Sequence, residues 1–296
     1  MARGFGGGST VGAMSDGYTC FETKLDGGVA TVTLSRGDQL NTMVPEFWEE
    51  LPALVRELDA TGEARVVVLA STGRHFCAGM DLAVFGGDRP NPGTPQGQVR
   101  ANMRSNVLHL QESFSVLEKA RMPVLAAIQG GCIGGAVDMV TACDMRYATE
   151  DAFFCVQEIN IGMTADVGTL QRLPKLIPEG VCRELAYTGR RMPAAEAKAV
   201  GLVNEVFADH EALLAGVQEV ARTIASKPPL SIYGSKEMIT YTRDHSTADS
   251  LNHIATWQAG MFQPSDMGEA MTARAEGRDA DFDDLLPFQG GVGQGV

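Results

Sequence analysis

The chain has 296 residues, 44% of them hydrophobic and 21% charged. That balance excludes disordered and fibrous classes and leaves room for a full core with a smaller domain appended. A formal net charge of −13 argues against binding nucleic acid or an anionic membrane, since phosphate contacts need clustered Lys and Arg.

Residues 1–13, ahead of Met14, read as a leader or flexible extension without the apolar core of a secretory signal. No apolar run reaches the roughly 18 residues that span a bilayer, so neither membrane insertion nor a targeting signal is expected, and a bacterial protein of this kind would be cytoplasmic. Cys20, Cys77, Cys132, Cys143, Cys155 and Cys182 show no CxxC spacing and sit among apolar neighbours, the pattern of reduced, packed thiols. Segments 20–25 and 29–34 flank Asp26-Gly27-Gly28 and predict a hairpin. Phe47, Leu51, Leu54, Val55 and Leu58 recur at helical spacing within 45–59, and 65–70 (RVVVLA) is a strand of the kind buried on both faces. The Gly- and Pro-rich stretch 86–98 predicts a surface loop.

A helix near 99–119 is followed by a buried strand at 123–129, the turn Gly130–Gly135 and a helix from Ala136. Beyond about 208 the pattern is helical throughout. Leu213, Leu214, Val217, Val220, Ala221 and Ile224 form one stripe, and Lys227-Pro228-Pro229 ends it. Helices at 230–242, 246–262 and 265–277 are too few for a core of their own, so they are expected to cover the first domain or a partner subunit. A flexible tail is expected over 285–296.

Two turns could gather backbone N–H groups, Gly73–Asp81 after the strand at 65–70 and Gly130–Gly135 at a helix start. An enolate formed from a thioester needs such donors at its oxygen and a base near the α-carbon. Either segment alone is also an ordinary turn, and GGCIGG does not have the GxGxxG spacing of a dinucleotide site. Three acids accompany the turns. Asp138 lies in the apolar helix AVDMVTA, Glu158 follows the strand-like AFFCVQ, and Asp166 precedes a helix expected near Val167. Their plain alternatives are a solvated helix face, an exposed strand end and an N-cap.

HFCAGMDL at 75–82, the block from Gln129 to Gly162 and GRRMPAAEAKAVGLVNEVF at 189–207 resemble, in order and spacing, the signature blocks of the crotonase, or enoyl-CoA hydratase/isomerase, superfamily. The similarity runs from about 18 to about 283. ADVGTLQRLPK at 165–175 and RDHSTADSLNHIATW at 243–257 are similar to its Δ3,5-Δ2,4-dienoyl-CoA isomerase branch.

The resemblance implies an α/β fold, a spiral of ββα units over 14–207 with a helical oligomerisation domain at 208–284, assembled as a trimer or hexamer. It implies an enzyme that converts 3,5-dienoyl-CoA to 2,4-dienoyl-CoA in the degradation of unsaturated fatty acids. Coenzyme A would enter only as part of the thioester substrate, with no permanent cofactor and no metal. The N–H groups of Met80 and Gly135 would form the oxyanion hole. Glu158 and Asp166 would transfer the protons, and Asp138 would tune or orient Glu158.

Hydratases of the superfamily carry Glu at both positions matched by 138 and 158, with a water between them. Moving two double bonds requires a proton taken at C2 and one delivered at C6, a task suited to two separated acids. Ala78, Asp81, Gly134, Arg274 and Arg278 are the expected contacts to coenzyme A, although Gly277 stands where the family usually has Lys. His75 and Arg74 are secondary candidates, and Phe153, Phe154 and Met163 could line the acyl pocket. The rival readings are an enoyl-CoA hydratase, a single-double-bond enoyl-CoA isomerase and a non-catalytic acyl-CoA-binding protein.

Overall fold

The computed structural model describes residues 17–81, 83–84 and 93–288. The expected leader at 1–13, residues 86–92 of the expected loop and 289–296 of the expected tail lie outside the described residues. The chain opens with the expected hairpin, strands β1 (Phe21–Asp26) and β2 (Val29–Leu34) paired antiparallel. Gly27 and Gly28 between them have φ of 56° and 77°, the left-handed pair that lets a two-residue turn follow the strand twist.

Helix α1 (Pro45–Thr61), strand β3 (Val66–Ser71), helix α2 (Gln96–Lys119) and strand β4 (Val124–Ile128) follow. The expected loop therefore ends early, because 96–98 are already helical. A short strand β5 (Gly131–Ile133), helix α3 (Gly135–Thr141), strands β6 (Met145–Thr149) and β7 (Phe153–Cys155), and a 3₁₀ turn at Glu158–Ile161 lead to α4 (Thr169–Arg172). Then come α5 (Glu179–Thr188), β8 (Met192–Pro193), α6 (Ala194–Ala199), β9 (Glu205–Phe207), α7 (His210–Ala225), α8 (Pro229–Thr242), α9 (Thr247–Met261) and α10 (Pro264–Glu276).

The main sheet has the order β1-β2-β3-β4-β6-β9, parallel except for the hairpin. Strand side chains alternate between faces, and here both faces are covered. Val67, Leu69, Val124, Ala126 and Ile128 join α1, α2 and α3 in one core. Val66, Val68, Leu125 and Tyr147 meet Leu213, Val217, Ala221 and Ala225 of α7 in the other. Helix α7 stands at the start of the expected helical domain, yet its stripe serves the back of the sheet.

A second sheet, β5-β7-β8, carries the turn after Ile133 away from the main sheet. Residues 282–288 run back onto α1. Arg65 donates to the Phe282 carbonyl and pairs with Asp284 at 2.6 Å, and the Phe288 N–H donates to the Ala60 carbonyl. The first four residues of the expected tail are thus bound to the body of the chain, a correction to the boundary at 285. Among the described residues no helix is long and apolar enough to cross a membrane, and all six cysteines are buried and free.

Candidate active site

The two glycine turns are tied together by a short parallel bridge. The Cys77 N–H donates to the Gly131 carbonyl at 3.2 Å and the Ile133 N–H to the Cys77 carbonyl at 3.1 Å. His75 reinforces it, since its Nδ1 accepts the Gly131 N–H at 2.8 Å. That bond needs an unprotonated Nδ1, and burial together with the charges of Arg74 and Arg191 lowers the pKa of the ring accordingly. His75 therefore holds the turns.

Closeness at this junction demands glycine. A Cβ on Gly79, whose φ is 87°, would lie 2.7 Å from the Ile133 carbonyl oxygen and 3.5 Å from the Gly135 nitrogen. Met43 binds the flanks of Met80, accepting from the Asp81 N–H at 3.1 Å and donating to the Gly79 carbonyl at 2.9 Å. The N–H of Met80 consequently faces the other way. Gly135 is the first residue of α3, where a helix leaves its N–H groups without an internal acceptor. Among the described residues neither N–H donates to a backbone acceptor. Two donors without a backbone acceptor thus stand on adjoining turns.

Glu158 lies beside them. A Cβ added to Gly134 would meet the Glu158 Oε1 at 3.4 Å. Asp138, on α3, has no exposed surface, and its Oδ1 accepts the Thr169 N–H at 2.5 Å. Asp138 Oδ2 and Glu158 Oε2 are both buried with no hydrogen-bond partner among the described residues, and the Asp138 carboxyl is near enough to act on Glu158. An ionised carboxylate can only accept, so one proton shared between them satisfies both oxygens. Burial and then the Asp138 charge push Glu158 up to about 7. Burial, opposed by the Thr169 N–H and aided by the Asp166 charge, pushes Asp138 up to about 6. The two carboxyls titrate as a set.

Asp166 is not an N-cap. Helix α4 starts at Thr169 with Gly168 in the cap position and no side-chain cap, so this plain alternative is excluded. Asp166 lines a cavity of about 560 Å³ together with Glu158, Met80, Gly134 and Gly135. Trp48, Ile133, Phe153, Ile161, Met163 and Val167 supply its apolar wall. Asp138 stands behind Glu158 and is not among the lining residues. Two further cavities, a polar one of about 420 Å³ and an apolar one of about 720 Å³ among α8–α10, contain neither Glu158 nor Asp166.

Ala78 and Asp81 also line the active cavity, with the Asp81 carboxylate accepting from the Ala83 N–H and the Thr42 hydroxyl. Phe153 and Met163 line it, whereas Phe154 packs in the core. Arg274 and Arg278 do not reach it. Arg278 is committed to Glu269 and Glu276 on the surface. A different cation does reach it. Arg191 lies 4.4 Å above the Phe153 ring and makes no ion pair among the described residues. Sequence reasoning missed both Arg191 and the Thr169 N–H. The first carries no motif of its own, and the second is a backbone group 31 residues from its partner.

Residues 24–285 match the family described as Enoyl-CoA hydratase/isomerase. The chain is 42% identical over 253 residues to the mitochondrial Delta(3,5)-Delta(2,4)-dienoyl-CoA isomerase of Pongo abelii, covering 85% of this chain and 77% of that protein. Among solved structures it resembles the enoyl-CoA hydratase of Bacillus anthracis with a TM-score of 0.80 at 30% identity, over 89% of this chain and 99% of that one. It also resembles a putative enoyl-CoA hydratase of Thermobifida fusca in complex with CoA, with a TM-score of 0.73 at 29% identity, over 81% and 92% of the two chains.

Proposed function

The chain belongs to the enoyl-CoA hydratase/isomerase family and has its crotonase fold, and from that premise we propose that it isomerises 3,5-dienoyl-CoA to 2,4-dienoyl-CoA. One observation supports the reading, which is that Glu158 and Asp166 line the same cavity as Met80 and Gly135, whose N–H groups have no backbone acceptor among the described residues. The thioester carbonyl accepts from the Met80 and Gly135 N–H groups. Loss of a proton at C2 then gives an enolate conjugated through C6, whose oxygen charge these donors stabilise. A single donor of this kind is worth about 2.7–4 kcal/mol in the transition state.

One carboxyl of the Glu158–Asp166 pair takes the C2 proton and the other delivers one to C6, leaving a conjugated 2,4-diene. The raised pKa of Glu158 keeps one proton in the site near neutral pH. Hydration is the less favoured chemistry here, because Asp138 has no surface on the cavity and cannot hold a water against Glu158 from that side.

Coenzyme A enters as part of the substrate, with Arg191 the cation best placed to meet its polar end. The exposed apolar residues of α8–α10, including Ile239, Leu251, Met261 and Met271, suit a trimer or hexamer, which sedimentation would reveal. The deciding experiment offers a 3,5-dienoyl-CoA and follows the absorbance of the conjugated product. Hydration of a 2-enoyl-CoA without any diene conjugation would overturn the proposal.

A further inference from the structure

Resting on the reading that Glu158 and Asp166 move the protons, we infer that Gln111 is a positioning residue for Asp166, acting through the backbone of the segment that carries it. The Asp166 carboxylate makes no hydrogen bond or ion pair among the described residues. Its place is therefore set by its main chain. Gln111 Nε2 donates to the Asp166 carbonyl at 2.6 Å, reaching the segment from α2, which is an element of the core.

Two residues further on, Gly168 has φ of 139°, and a Cβ there would run into the Arg172 guanidinium. Arg172 is itself fixed, since its Nε donates to Glu118 at 2.8 Å and its Nη2 to the Ser115 hydroxyl at 3.1 Å. Glu118 also accepts from Arg243, the residue that follows α8, at 2.6 Å. Gln111, Ser115 and Glu118 follow one another at i, i+4 and i+7 and so share one face of α2. That face grips the segment 166–169 from behind.

Polar side chains at half-buried positions lose hydration, so they need partners to be tolerated, and packing alone would be served by an apolar face. The polar cavity of about 420 Å³ behind this segment is lined by Gln111, Ser115, Glu118 and Arg172, and it shares Val167 with the active cavity. Gln111 itself is not among the residues lining the active cavity. Its loss should shift the acid without touching the thioester. A displacement of about 1 Å at a reacting group can lower rates on the order of 100-fold.

Gln111→Met keeps the length of the side chain and removes the donor. Gln111→Glu restores a donor only when the new carboxyl is protonated, and when ionised it opposes the Asp166 carbonyl. The expected result for Gln111→Met is a kcat lower by about 10- to 100-fold, with KM within about 2-fold of wild type. Gln111→Glu should match it at pH 8 and recover, relative to wild type at each pH, as the pH falls toward 5.

Should Gln111→Met fail to fold, the pH series of Gln111→Glu decides the matter alone, because one folded protein is compared with itself. A Gln111→Met enzyme with unchanged kcat, a raised KM at unchanged kcat, or a Gln111→Glu ratio flat with pH overturns the positioning role. A wild type inert toward the dienoyl thioester overturns the isomerase reading instead, so the two failures are separable.

Discussion

The shared proton between Asp138 and Glu158 predicts that the active site destabilises the protein at alkaline pH. A carboxyl whose pKa is raised on folding binds more protons in the native than in the unfolded chain, so stability falls as pH rises from the unfolded to the folded value. For Glu158 that window runs from the ordinary value of 4.5 to about 7. At ~1.4 kcal/mol per unit the full penalty above the window is roughly 3 kcal/mol, and the Asp138 shift is not added because the two acids titrate together. Glu158→Gln replaces the shared proton with an amide N–H that can donate to Asp138 Oδ2. The variant should therefore gain roughly 3 kcal/mol over wild type at pH 8 and nothing near pH 4. With ~2 cal/mol/K of unfolding entropy per residue, that is a rise in Tm of about 5 °C for a chain of this length. Calorimetric Tm values across pH 4–8 supply the test. A difference that does not change across this range, or a variant less stable than wild type at pH 8, would refute the shared proton.

Asp166→Asn should lower kcat for dienoyl isomerisation by about 10²- to 10⁴-fold while titration calorimetry shows the affinity for a 2,4-dienoyl-CoA within about 3-fold; near wild-type turnover would remove Asp166 from the proton path. Gly79→Ala forces a Cβ to 2.7 Å from the Ile133 carbonyl at a φ of 87°, so the oxyanion donors should separate and kcat fall by about 10²- to 10³-fold. Gly180→Ala, where a Cβ meets nothing within 4 Å, should leave activity unchanged. Steady-state kinetics should give Arg278→Ala a KM within about 2-fold of wild type, because its charge is already spent on Glu269 and Glu276, whereas Arg191→Ala should raise KM; the opposite order would place the coenzyme at α10.

How much could be read in advance depends on how local the governing physics is. The β1–β2 hairpin was legible because Gly27 and Gly28 supply their own left-handed φ, and α1 because its buried residues repeat at helical spacing. The two glycine turns were legible for a related reason, each being a glycine segment placed after a fully buried strand. Other features depend on partners remote in sequence. Asp138 in AVDMVTA reads equally well as a solvated face, and its burial is decided by the Thr169 N–H on a different element. Asp166 reads as an N-cap until Gly168 is seen to occupy that position.

The same contrast explains the coenzyme contacts. Arg274 and Arg278 are expected from the family resemblance, but an exposed cation takes the nearest acids, and Arg278, just past the end of α10, pairs with Glu269 and Glu276, nine and two residues before it. Arg191 has no such acid among the described residues. It immediately precedes β8 of the second sheet and is left facing Phe153 inside the cavity. A free cation there stays available to an anionic ligand, whereas a paired one would first have to break two salt bridges. For that reason a kinetic effect of Arg191→Ala on KM, together with none from Arg278→Ala, is the outcome the charge arrangement requires.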